Sequence, residues 1–86
     1  MKHAGAAALD QLEPLLARLR QIASLKERTR GVFYLGSKAF LHFHEDPAGL
    51  FADIRAADAR DFDRFQIDTP DAQEKLAQIA VVRADT

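Results

Sequence analysis

Apolar residues in the first quarter of the chain fall at helical steps. Leu9, Leu12, Leu16, Leu19 and Ala23 recur every three or four residues, and Leu15 and Ile22 widen the stripe. Asp10 followed by Glu13 has the form of a capping box. Pro14 stands close enough to that start to be tolerated, since first-turn N–H groups lack helical partners anyway. The spacing predicts a helix over about residues 11–24. Residues 25–31 break the stripe, carry Lys26, Glu27, Arg28 and Arg30, end in Gly31 and read as a charged loop.

The pattern then changes to strands. Two runs, residues 32–35 and 38–44, flank Gly36-Ser37, a pair suited to a tight hairpin. A second turn at residues 45–49 places Pro47 early and Gly49 late, and a third strand follows over residues 50–55. Asp58 and Asp61 read as the opening of a short helix carrying Phe62 and Phe65 as core anchors. Thr69 caps a last helix with Pro70 in its first position and Ala72, Leu76, Ile79 and Ala80 as its apolar stripe. The expected fold is α+β: an N-terminal helix, a three-stranded antiparallel meander and C-terminal helices, in the order α-β-β-β-α-α. It forms one domain over residues 1–86, with 1–9 and 82–86 frayed.

Strand alternation sorts the meander into two faces. With Leu35 opposite Lys38, Phe33 opposite Phe40, Phe43 opposite Ala52 and His42 opposite Asp53, one face collects Val32, Tyr34, Ala39, Leu41, Phe43, Leu50, Ala52 and Ile54. That apolar face is expected to meet the helices. The other collects Phe33, Leu35, Lys38, Phe40, His42, His44, Phe51, Asp53 and Arg55. Three exposed phenylalanines would form a patch of several hundred Å², about the upper range for a monomer. A cover is therefore expected, and the expectation is a homodimer through this face.

Composition bounds the alternatives. At 86 residues, 48% hydrophobic and without cysteine, the chain builds a single core and no disulfide. Lack of cysteine fits a reducing cytoplasm, and no apolar run approaches the ~20 residues of a membrane span. The net charge of −1 gives no overall attraction to nucleic acid. It is unevenly spread: residues 1–44 hold seven basic against three acidic residues, residues 45–86 five against ten. The halves could attract one another within the fold or between two copies.

Three sets of residues carry candidate chemistry. Phe33, Lys38, Phe40, His42, His44, Phe51, Asp53 and Arg55 form the candidate binding surface for a protein or small molecule. Lys26, Arg28, Arg30 and Lys38 could contact phosphates, giving weak and salt-sensitive nucleic-acid binding. His42 and His44, two apart on a strand, point the same way, as imidazoles presented to a metal do. Asp53 opposite could be a third ligand or an orienting partner. The plainer reading leaves both histidines as half-exposed strand residues, with His42 bonded to Asp53. Nucleophilic catalysis has no support, because Ser24 and Ser37 lack the glycines of a nucleophile elbow.

The stretch from Gly31 to Arg55 contains an aromatic strand, the turn Gly36-Ser37-Lys38 leading to Ala39-Phe40, the run Phe40-Leu41-His42 and the turn Asp46-Pro47-Ala48-Gly49. It resembles the small MmcQ/YjbR-like domains over roughly residues 10–65. That resemblance implies a helix, a β-meander and further helices, and a DNA-binding label. The residues themselves favour a non-enzymatic, cytoplasmic interaction module without a cofactor. Nucleic-acid binding is the first alternative and metal-dependent activity at His42, His44 and Asp53 the second.

Overall fold

A computed structural model describes residues 1–58 and 60–85. It is α+β, with an antiparallel sheet and three helices: β1 (Lys2–His3), α1 (Ala6–Gln11), α2 (Glu13–Arg20), β2 (Leu25–Thr29), β3 (Val32–Leu35), β4 (Lys38–Asp46), β5 (Gly49–Arg55), β6 (Phe62–Gln66) and α3 (Pro70–Ala84). Strands β2 to β6 follow one another as a meander. The long β4 runs on past β3, and β1 pairs with the edge left free there.

The three-stranded expectation is thus corrected to five strands in series plus β1. Residues 25–29 form an edge strand rather than a loop. Their charges mark the outer strand, where only Leu25 is buried and where polar side chains discourage pairing with another chain. Phe62, Arg64 and Gln66 alternate with Asp63 and Phe65 along β6 instead of winding into a helix. The first helix divides at Leu12, just before Pro14, whose nitrogen has no hydrogen to continue the ladder. Asp10 lies near the end of α1, is not a cap and pairs with Arg30 at 2.9 Å. The lead-in expected to be frayed contains β1 and α1, and Ala84 near the other end is buried. Thr69 does cap α3, its hydroxyl oxygen accepting the Ala72 N–H at 3.1 Å.

Both hairpin turns fall where the glycines place them, with Leu35 opposite Lys38 and Asp46 opposite Gly49. Between them β4 carries one extra residue. Tyr34 pairs with Ala39 but Phe33 pairs with Leu41, so Phe40 is a bulge. The bulge reverses the parity of β3 against β4 and turns both Phe40 and Leu41 inward. Phe33, at 1% exposure, and Phe40, at 2%, therefore belong to the core, and Val32 and Tyr34 take the other face. The phenylalanine-rich outer face is corrected accordingly.

One core results. Leu12, Leu16 and Leu19 from the first helices and Leu76, Ala77 and Ala80 from α3 pack on Phe33, Leu41, Phe43, Ala52 and Ile54 of the sheet. All three helices lie on this side. The reverse side of the sheet carries no helix among the described residues, and no helix is long and apolar enough to cross a membrane.

Candidate metal centre on the bare sheet face

Alternation along β4 sends His42 and His44 to the bare face, because Leu41 and Phe43 between them are drawn into the core. Pairing across the sheet sets their neighbours. Asp53 of β5 stands opposite His42, Arg64 of β6 opposite Asp53, and His3 of β1 opposite His44. Four strands thus converge on one spot.

Asp53 is 7% exposed, the one buried charged residue among those described. Its carboxylate accepts from Arg64 twice, Nε to Oδ1 at 2.7 Å and a terminal nitrogen to Oδ2 at 2.8 Å. Oδ2 also lies 3.1 Å from Nε2 of His44. The ring bound to Asp53 is therefore His44, diagonal to it, and not His42. The Arg64 guanidinium holds the Asp53 carboxyl below the usual carboxylate range, against the opposing effect of burial. Burial lowers the pKa of His42, and the adjacent His44 lowers it further. At neutral pH the spot holds an ionised carboxylate beside a neutral imidazole, the form that binds metals.

One ligand atom from each of His42, His44 and Asp53 lies within 4.8 Å of the others. The Nδ1 atoms of both histidines are buried without a hydrogen-bond partner among the described residues. Buried polar atoms are nearly always paired, so two orphaned nitrogens in adjacent rings call for a partner the protein does not supply. The rings of His42 and His44 meet edge to face at 5.0 Å, and Phe62 stacks on His42 at 5.1 Å.

The remaining candidate residues are more scattered. Phe51 shares the bare face, opposite His44 and half-buried. Arg55 shares it too, donating from Nε to the Ala39 carbonyl at 2.7 Å and lying over the Phe62 ring at 4.8 Å. Phe33 and Phe40 are inside. Lys38 is exposed at the start of β4. Of the phosphate-contact set, Lys26 and Arg28 are exposed on β2, with Arg28 over the Tyr34 ring at 4.6 Å. Arg30 is held by Asp10 and Glu13.

Sequence reasoning missed His3, Arg64 and Phe62. The alternation of Phe62, Arg64 and Gln66 was a strand signal; a two-residue strand such as β1 leaves none. Comparison of the chain with family models, curated proteins and solved structures gives no match, and so nothing bears on the resemblance to MmcQ/YjbR-like domains.

Proposed function

We propose that this is a small non-enzymatic binding module for a divalent transition-metal ion of the zinc class, with His42, His44 and Asp53 as ligands. The observation that carries this reading is the convergence of two imidazoles and a carboxylate, within 4.8 Å, at a spot where two ring nitrogens have no partner. Nitrogen and oxygen donors of this kind suit zinc and its neighbours rather than magnesium or calcium. Arg64 keeps the carboxylate ionised and aimed. Self-association through a phenylalanine surface loses its motive, because Phe33 and Phe40 are buried.

Titration calorimetry with zinc chloride on protein without a histidine tag tests the reading. One ion per chain is expected for the native sequence, and none for the double substitution His42→Ala with His44→Ala, provided circular dichroism shows that variant folded. No binding by the native protein, or equal binding by the variant, overturns it.

A second reading draws on the bare face itself. Lys26, Arg28, Arg55 and Arg64 share that face with Asp53 and, at the end of β4, Asp46, with Tyr34 and Phe62 beneath two of the guanidiniums. Basic groups over aromatic rings suit single-stranded nucleic acid. Fluorescence anisotropy with a labelled oligonucleotide at low salt decides it: no binding there removes the reading.

A further inference from the structure

We infer that an ion bound at this centre switches the bare face into a surface for single-stranded nucleic acid. The inference rests on the reading of His42, His44 and Asp53 as metal ligands, and joins it to the reading of the face as a nucleic-acid surface. Charge is its starting point. With the imidazoles neutral, Lys26, Arg28, Arg55 and Arg64 against Asp46 and Asp53 give the face four basic and two acidic groups, a net charge of +2. Neutral imidazole ligands cancel none of an ion's charge, unlike thiolates, and the charge of Asp53 is already counted. A divalent ion therefore doubles the net charge of the face. It does so near the middle: the ligands stand on β4 and β5, with Lys26 and Arg28 on β2, two strands from β4, and Arg64 on β6, next to β5. At ~4.8 Å from strand to strand, these groups lie within about the ~10 Å over which charges act together at 0.1 M salt.

Contacts carry the ion's effect to the stacking groups as well. Phe62 lies on the His42 ring, with centroids 5.1 Å apart and planes at 17°, and the Arg55 guanidinium lies over Phe62 at 4.8 Å. A metal bound through a ring nitrogen sits in the plane of the imidazole and leaves this stack intact. Fixing His42 then steadies Phe62, which is 36% exposed, and the guanidinium over it. Tyr34 with Arg28 at 4.6 Å repeats the pairing of ring and guanidinium towards the other edge of the sheet. Two such platforms about a cationic centre suit a strand whose bases stack while its phosphates meet the charge. An acidic protein matches the charge alone; single-stranded nucleic acid matches the charge and the rings. By linkage, the bound strand raises the affinity for the ion in turn.

The test follows a labelled oligothymidylate by fluorescence anisotropy, with one equivalent of zinc chloride or with a chelator. Calorimetry on the same samples reports whether zinc is bound. Two added charges, neutralised by two phosphates, are expected to raise the affinity roughly tenfold or more at 0.1 M salt and to steepen its logarithmic salt slope by about 1.4. The double substitution His42→Ala with His44→Ala is expected to lose this gain. Phe62→Leu leaves every ligand in place, and is expected to bind zinc as the native chain does but to hold the strand roughly fivefold more weakly. Zinc bound with no gain in affinity overturns the inference and leaves the metal centre standing; no zinc bound removes both. An equal gain in the double variant overturns it by placing the effective ion elsewhere. An equal gain for labelled polyglutamate overturns it by making acidic protein the partner.

Discussion

Asp53 accepts burial because Arg64 donates to both of its carboxylate oxygens, and His44 Nε2 stands 3.1 Å from one of them. Removing its charge while keeping its shape separates the ligand role from packing. Asp53→Asn is expected to lower zinc affinity by about tenfold or more, in line with the cost of disturbing a metal's surroundings; unchanged affinity would remove Asp53 from the ligand set. A second carboxylate makes a prediction about acid. Glu27, at the edge of the sheet, accepts from Arg20 at 2.5 Å and from the Gly31 N–H at 2.8 Å, and the Arg20 contact chiefly lowers its pKa from the ordinary 4.5. The unfolded chain then takes up the proton first as pH falls. The stabilisation is present above 4.5 and lost as pH drops through that value towards the lowered one. Urea midpoints of metal-free protein across this range are expected to fall more steeply for the native chain than for Glu27→Gln.

Among the elements, the bulge at Phe40 decides which side chains are inside. Phe33→Ala is expected to cost about 3–5 kcal/mol in denaturant unfolding, as for a fully buried ring. The neighbouring Tyr34→Ala, on the bare face, should cost less than about half of that; the reverse order would place Tyr34 in the core and contradict the register. Much of the sheet was legible in advance. Gly36-Ser37 and Pro47-Ala48 located two hairpins, and alternation then correctly set His42 against Asp53 and sent Leu41, Phe43, Ala52 and Ile54 inward. Thr69 and Pro70 likewise marked the start of α3. The bulge left no trace, because Phe40 and Leu41 are both apolar and suit either parity. The outer strands β2 and β6 were hidden by their charges: an edge strand with one solvent face needs little apolar sequence, so a loop and a helix looked equally good. Pro14, judged harmless near a helix start, instead divides the helix, because the helix begins at Ala6 and not after Asp10.

At the scale of the molecule, one apolar side holds the protein together and the other is left to chemistry. Every helix packs on the face of Phe33 and Leu41, and the histidines, Asp53 and the guanidiniums of Arg55 and Arg64 share the reverse. The opposite charges of the two halves meet at few places, as where Arg18 of α2 pairs with Glu74 of α3 and Lys2 with Glu45. Arg20 and Arg30 find Glu13, Glu27 and Asp10 within their own half. Charge therefore does little to join the halves, and the meander with its buried leucines does most of it. The candidate site was half visible from sequence: His42, His44 and Asp53 followed from alternation. Its rim was not, because His3 and Arg64 reach the site from strands that no pattern announced.

Long-range proton–nitrogen spectra of the imidazoles, recorded with and without one equivalent of zinc, test the central claim most directly. The account predicts that one ring nitrogen of His42 and one of His44 move to metal-bound shifts at neutral pH. Spectra in which the ring nitrogens of both histidines stay unmoved on addition of zinc would contradict it.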